Sequence, residues 1–164
     1  MWNAKPGARQ RGFTIVELLV VIAIAGILMT YAIPRLHAAR ANRAARNARD
    51  VFAWTAQRAR VKAIQTGATQ LLQINPTTER AWIVKRNPTT AADTTLTIHF
   101  QNEYDAAVST SANALITVCF NPRGYAFARG TTCGSSVTTD TLTFTHASYT
   151  SQAVLKPLGQ VQKL

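Results

Sequence analysis

The chain is short of acidic residues, of cysteine and of charge in general. Only 7 of its 164 residues are Asp or Glu, against 18 Lys and Arg, so its formal charge is +11. Two cysteines are too few for a disulfide-dense miniprotein or a four-thiolate zinc site. Six prolines and eight glycines exclude collagen-like and low-complexity chains. With 47% apolar and 15% charged residues, the chain is not of the disordered class and can bury one core.

The sequence also lacks catalytic and metal-binding signatures. His37, His99 and His146 lie far apart and no Cys-x-x-Cys occurs, so we expect no metal site. No Gly-x-Ser-x-Gly, phosphate-binding glycine loop or paired-carboxylate pattern is present. We therefore expect neither an enzyme nor a cofactor. The positive charge instead favours anionic neighbours: nucleic acid, phospholipid headgroups or an acidic protein surface.

A long apolar run follows a short basic segment at the N-terminus. Residues 1–12 carry three cations and no acid, and residues 13–33 are almost entirely apolar. A helix of that length spans about 30 Å, the thickness of a bilayer core. A secretory signal fits poorly, because the candidate cleavage sites precede Pro34. A buried core helix would carry polar residues at helical spacing. The pattern thus favours a membrane span over residues 13–34.

One acid, Glu17, lies inside this run, where an unpaired carboxylate costs several kcal/mol. It belongs to the series GFTIVE, from Gly12 to Glu17, at the junction of the basic and apolar segments. This junction resembles the N-terminus of type IV prepilins: a basic leader ending in glycine, then Phe-Thr-x-x-Glu and an apolar helix. Pro34 also lies where many pilin helices have a proline that allows a kink.

The resemblance implies processing and assembly. A membrane-embedded prepilin peptidase would remove the leader, residues 1–12, after Gly12 and N-methylate Phe13. Glu17 would pair with the new amine, its own or a neighbour's, and set the register of a filament. The helix would lie first in the lipid of the bacterial inner membrane and then among other major and minor pilins or pseudopilins. The globular domain would lie in the periplasm.

The charge around the span favours the opposite topology. Five arginines follow the span within sixteen residues, and the positive-inside rule would place that side in the cytoplasm. We follow the resemblance, because the leader must reach a peptidase site that faces the cytoplasm.

Residues 35–66, rich in Ala and Arg, predict an amphipathic continuation of the helix with a bend at Pro34. At about 100° per residue, Val51, Trp54 and Val61 share an arc and are expected to pack on a sheet. The arginines of the opposite arc are expected outside, where they meet solvent, neighbouring subunits or phosphates. These arginines are Arg35, Arg46, Arg49 and Arg60.

Residues 67–164 predict a β-rich domain, because apolar and Thr-rich residues alternate. The predicted strands are Thr69–Ile74, Arg80–Arg86, Thr95–Phe100, Leu115–Phe120, Gly124–Ala128, Thr141–Thr145, Gln152–Leu155 and Gln160–Lys163. Turns are expected at Asn75 and Asn121, and a loop over Asn87–Asp93. The fold class is therefore α+β: a long N-terminal, transmembrane, pilin-type helix packed on an antiparallel β-sheet.

The C-terminal part resembles the minor pseudopilins of the GspH/FimT group, through Ile116–Tyr125 and Val154–Gln162. The resemblance implies a structural minor subunit at the tip or initiating complex of a type IV pilus or a type II secretion pseudopilus. The alternative is a surface minor pilin that binds DNA for uptake in natural transformation. Some FimT proteins do so through a closing Gly-Arg-x-Arg, but this chain has glutamines at Gln160 and Gln162, which lack the charge. The candidate DNA or anion contacts are Arg46, Arg49, Arg60, Arg123, Arg129, Lys156 and Lys163.

Cys119 and Cys133 are the two cysteines of the chain. If the domain is exported, they are able to form a disulfide around the Asn121 turn, worth about 3 kcal/mol in the chain-entropy description. Two buried free thiols are the alternative.

Overall fold

The computed structural model describes residues 13–86, 94–111, 113–129, 133, 139–156 and 158–164. The leader with Gly12 and the loop predicted over Asn87–Asp93 lie outside the described residues, and of Arg129 only the main chain is described. The chain divides into two compact units, Met1–Ala38 and Ala39–Leu164.

The first element is a helix of 52 residues, α1 (Ile15–Thr66), which belongs to both units. Pro34 lies inside it without ending it, and the bend expected there stays a prediction. The helix ends where the sequence predicts: Gly67 adopts φ +59° and its N–H donates to the carbonyl of Ile64 at 3.4 Å. A left-handed residue in this position is the usual end of a helix, and glycine adopts it without a Cβ clash.

A seam of small residues forms the buried face of α1 in the second unit. Most of the buried positions lie three or four residues apart, as a single helix face requires. They are Ala41, Ala45, Ala48, Phe52, Ala53, Thr55, Ala56, Ala59 and Ala63.

The predicted packing face of α1 is therefore wrong for two of its three residues. Trp54 and Val61 are 51% and 47% exposed, while Val51 packs partly against the core. Alanine side chains fill little space, so the large side chains of the strands fill most of the core beside the helix.

Two antiparallel sheets form within the described residues, where the sequence predicted one. The first has the strand order β3-β2-β1-β5-β6 and the second β4-β7-β8-β9. The strands are β1 (Gln70–Asn75), β2 (Arg80–Lys85), β3 (Thr94–His99), β4 (Ala107–Thr110), β5 (Ile116–Phe120), β6 (Ala126–Arg129), β7 (Asp140–His146), β8 (Tyr149–Leu155) and β9 (Val161–Lys163).

A short helix, α2 (Phe100–Tyr104), connects the third strand to the fourth. It follows β3, an edge strand of the first sheet, and precedes β4, an edge strand of the second. Its C-cap, Asp105, has φ +52°, a left-handed conformation that turns the backbone away from the first sheet. Neither α2 nor β4 was predicted, whereas all eight predicted strands are present with ends shifted by a few residues.

One hydrophobic core joins α1, α2 and both sheets. Phe144 of β7 packs against two other phenylalanine rings. Its ring centroid lies 5.8 Å from that of Phe52 in α1 and 5.4 Å from that of Phe100 in α2. All three rings are fully buried. Their contacts tie the second sheet to both helices, so the α+β arrangement predicted from the sequence is confirmed with a second sheet added.

Cys119 and Cys133 form a disulfide, with their Cα atoms 5.9 Å apart. Cys119 alternates along β5 with Val118 and Phe120, which face the main core, and therefore lies on the other side of the sheet. There the disulfide forms a second buried cluster with Leu71 and Val84, and Trp82 packs against it. The predicted disulfide is thus present.

Both predicted turns use an asparagine side chain. The Oδ1 atom of Asn75 accepts hydrogen bonds from the N–H groups of Thr77 and Thr78, at 2.9 and 3.2 Å. Oδ1 of Asn121 accepts from Arg123 and Tyr125, each at 3.0 Å. Each side chain replaces a backbone partner in its turn.

A third turn, at Gly159, connects β8 to β9 of the second sheet and contacts β6 of the first. Gly159 has φ +78°, and its N–H donates to the carbonyl of Lys156 at 3.1 Å. The neighbouring Leu158 bridges to Ala126 of β6. A Cβ on Gly159 would lie 2.5 Å from Cε1 of Phe120 and 2.8 Å from Cβ of Ala126. The two segments that resemble the GspH/FimT group are therefore in contact.

We expect Gly159→Ala to lower the free energy of unfolding by about 2–4 kcal/mol, through backbone strain and overpacking against Phe120. Gly67→Ala is the matched control, because Gly67 also has a positive φ but a Cβ added to it would meet no atom within 4 Å. It should cost only about 1 kcal/mol. Urea unfolding of the intact chain in mild detergent, followed by tryptophan fluorescence, measures both. Equal losses would contradict the close packing at Gly159.

Candidate functional site

The first half of α1 is apolar and exposed over its whole length. Within Ile15–Thr66, an 18-residue window has a mean hydropathy of 2.4, and none of it is buried. Between Phe13 and Pro34 every residue is exposed except Ala25, which is half-buried. By length and composition this is a helix able to cross a membrane. A contiguous apolar surface of this size requires a cover, either lipid or protein.

The N-terminus of α1 is capped by Thr14. The hydroxyl oxygen of Thr14 accepts a hydrogen bond from the N–H of Glu17 at 3.2 Å, and its carbonyl accepts from the N–H of Leu18 at 3.2 Å. Thr14 is therefore the N-cap and Glu17 the third helical residue, the spacing of a capping box. The role of Thr14 was not predicted, although Thr-x-x-Glu before an apolar run is the sequence signal for it.

The position of Glu17 has two consequences. A carboxylate in the first turn is stabilised by the positive end of the helix dipole. Among the residues that the structure describes, the carboxylate has no ion pair or hydrogen-bond donor of its own, so it is available to a cation from outside the helix. Phe13, the residue expected to carry the new amine, is 82% exposed one residue before the cap.

Two of the predicted basic contacts are paired with one acid. Asp50 Oδ1 lies 3.0 Å from an Nη atom of Arg49 and 3.1 Å from Nζ of Lys163. Arg49 also donates to the main-chain carbonyl of Leu164 at 2.9 Å, and the N–H of Leu164 donates to the carbonyl of Gln152 at 2.9 Å. This cluster fastens the segment after β9 to α1.

The pKa of Asp50 is shifted by its contacts in this cluster. Partial burial acts to raise the pKa, but hydrogen bonds from Lys163 and Arg49, together with their positive charges, outweigh it and hold the pKa below the ordinary 3.8. Since the folded-state pKa is lowered, the stabilisation is present above the unfolded-state pKa and is lost as the pH falls through the folded-state value.

The remaining basic residues are distributed differently. Arg46 is exposed on α1, and Arg123 and Lys156 are exposed in turns. Arg60 is half-buried, with its Cγ 3.2 Å from the position that a Cβ on Gly124 would take, so its stem packs against the turn that contains Arg123. The helical arc predicted Arg60 to lie outside, whereas the structure shows it half-buried. DNA contact by any of these residues stays a prediction.

Comparisons with known proteins agree with the sequence motif and the fold. Residues 7–33 match a family model described as the prokaryotic N-terminal methylation motif. A search among curated protein sequences gives no significant match.

Two crystal structures of the type IV minor pilin FimU from Pseudomonas aeruginosa are similar to the chain. In one crystal form the TM-score is 0.53, with 12% identity over 73% of this chain and 87% of FimU. In the other it is 0.51, with 12% identity over 73% of this chain and 91% of FimU. At this identity the likeness concerns the fold. The chain thus carries the type IV prepilin motif and folds as a minor pilin does, while the narrower GspH/FimT assignment stays a prediction.

We expect Asp50→Asn to lower the free energy of unfolding near neutral pH by at most about 1 kcal/mol, because the ion pairs are partly exposed. The difference from the unaltered chain should shrink as the pH falls through the lowered folded-state pKa of Asp50, because the charge that the ion pairs need is then lost. Urea unfolding at a series of pH values from neutral to acid measures it. A deficit that persists in acid would mean that Asp50 acts through packing rather than through its charge.

Proposed function

We propose that the chain is a minor pilin, processed by prepilin peptidase and incorporated into a filament of other pilins. The observation that carries the proposal is an exposed apolar helix that starts with a capped Phe13–Glu17 segment inside the methylation motif. The absence of catalytic signatures from the sequence agrees with a structural role.

Cleavage and pairing follow from the chemistry of this segment. Hydrolysis of the Gly12–Phe13 amide yields an α-amine on Phe13, which is largely cationic near pH 7 because its ordinary pKa is about 7.7–8.0. N-methylation keeps that charge. In a filament the amine of one subunit meets the Glu17 carboxylate of its own chain or of a neighbour.

The pair selects one axial register. A carboxylate buried without a cation among apolar helices is strongly destabilised, so registers that lack the pair are disfavoured. The apolar side chains of α1 supply attraction without direction, because the hydrophobic effect is non-directional. Glu17 therefore supplies position, and the surrounding apolar surface supplies affinity.

The proposal places the unprocessed chain in the bacterial inner membrane as a single span, with the globular unit in the periplasm. The filament is a type IV pilus or a type II secretion pseudopilus, and the chain belongs to its tip or initiating complex. The fold shared with a minor pilin supports a minor subunit.

Surface capture of DNA is the alternative function. The formal charge of +11 favours it, but Arg49 and Lys163 already share the carboxylate of Asp50. DNA affinity depends mainly on cations that neutralise phosphates. Because Asp50 already neutralises part of the charge of Arg49 and Lys163, this cluster offers DNA less positive charge than two free cations would. A gel shift with the intact chain in detergent at low salt would separate the two functions.

We expect Gly12→Val to block processing in the native host, because a β-branched side chain obstructs the scissile backbone at a position where glycine leaves it open. Mass spectrometry should find residues 1–12 removed and Phe13 methylated in the unaltered chain, and neither change in the variant. Gly7→Val, also in the leader, is the control and should be processed normally. Normal cleavage of Gly12→Val would contradict the assigned bond.

We expect Glu17→Gln to be cleaved but to be lost from filaments, because the amide cannot neutralise the Phe13 amine. Purified filaments should contain the variant at less than about a tenth of the unaltered level, which corresponds to losing about 1.4 kcal/mol or more. Glu79→Gln removes the same charge from a turn of the globular unit and should assemble normally. Equal incorporation of both variants would refute the pairing.

A further inference from the structure

The outward face of α1 in the second unit carries a stripe that assembly through the first half of the helix does not use. Its residues follow helical spacing along one face, opposite the alanine seam. Together with Thr95 of β3 they line a groove of about 400 Å³. The helical lining residues are Trp54, Gln57, Arg58, Val61, Lys62 and Gln65.

The groove has an apolar floor that its own chain leaves in water. Trp54 and Val61 are about half exposed, in a unit whose other large apolar side chains are mostly buried in one core. They lie seven residues apart, two turns along the same face, so one partner element can cover both. Tryptophan in such a position contributes a large contact area with few rotatable bonds.

The groove is also positively charged. The guanidinium carbon of Arg58 lies 5.0 Å from the ring centroid of Trp54, a cation–π contact that holds both side chains in place. Lys62 lies one turn further along the helix. Within the described part of the chain, neither Arg58 nor Lys62 pairs with a carboxylate, and no acid lines the groove.

This charge argues against a second copy of the chain as the occupant. Each copy is strongly basic and presents the same two cations, so two grooves facing each other would repel. Nucleic acid is disfavoured for a different reason. Two cations neutralise few phosphates, whereas half of the floor is aliphatic and suits side chains rather than a sugar–phosphate backbone.

We propose that this groove binds an acidic amphipathic segment of another protein subunit. Its aliphatic side chains lie on Trp54 and Val61, and its carboxylates pair with Arg58 and Lys62. Gln57 and Gln65 donate and accept hydrogen bonds at the rim. The inference deepens the proposed function, on which it rests, because it gives the neighbour of this minor subunit a definite chemistry.

The test uses the intact chain in a non-ionic detergent and a labelled helical peptide as the probe. The peptide has a leucine stripe flanked by glutamates, and its twin has lysines in place of the glutamates. Fluorescence anisotropy measures binding, and circular dichroism verifies that each variant is folded. Since processing and filament incorporation do not enter the measurement, its failure is distinguishable from failure of the proposed function.

We expect the glutamate peptide to bind and the lysine peptide not to bind. Arg58→Gln with Lys62→Gln should weaken binding roughly tenfold, and Trp54→Ala should do the same. Arg43→Gln with Arg46→Gln removes the same charge from exposed positions outside the groove and should change binding less than about twofold.

Three results would overturn the proposal. The first is that the glutamate peptide does not bind. The second is that the Arg43 and Arg46 variant loses as much affinity as the groove variant, because the peptide would then be attracted by the overall charge. The third is that a single-stranded oligothymidine binds more tightly than the peptide and loses affinity with the groove variant, which would assign the groove to nucleic acid.

Discussion

An apolar helical surface with one carboxylate near its end is unstable in water, and the described residues of the chain supply nothing to cover the first half of α1. The apolar surface must be covered either by lipid or by other apolar helices. The carboxylate of Glu17 requires a cation as soon as the surroundings become apolar. A membrane satisfies the first requirement, and the bundle of processed pilins in the proposed function satisfies both.

The second half of α1, in contrast, buries one face in the core of its own unit. Its buried face, which is mostly alanine, shares a core with strands that supply Phe, Leu and Ile, so most of the core volume comes from the sheets. This arrangement leaves the larger helical side chains Trp54 and Val61 without a place in the core. They therefore form an outward surface, so that one helix has both an internally packed face and a face that is open to contact.

The sequence predicts best where a signal is local. The apolar helix and the strand alternation are contained in short windows, and the helix end at Gly67 follows from one residue. The buried face of α1 was mispredicted because alanine has a weak hydrophobic signal and the larger Trp54 outweighed it. The contact between Arg49 and Leu164 joins residues 115 positions apart, and no local pattern contains it. The helix α2, through which the chain passes from β3 to β4, has five residues and is too short for a periodicity to appear.

The charge of the chain bears on why it would be a minor rather than a major subunit. In the proposed processing, removal of the leader takes away Lys5, Arg9 and Arg11, so that a formal charge of +11 becomes +8 before the new amine is counted. Neighbouring subunits of a filament are in contact, at distances where salt screens their charges only in part, since the Debye length is about 8 Å at physiological ionic strength. A filament of this chain alone would bring like charges together along its length. Single copies among less basic or acidic subunits avoid that repulsion and gain attraction instead, which fits a subunit that contacts others more often than itself.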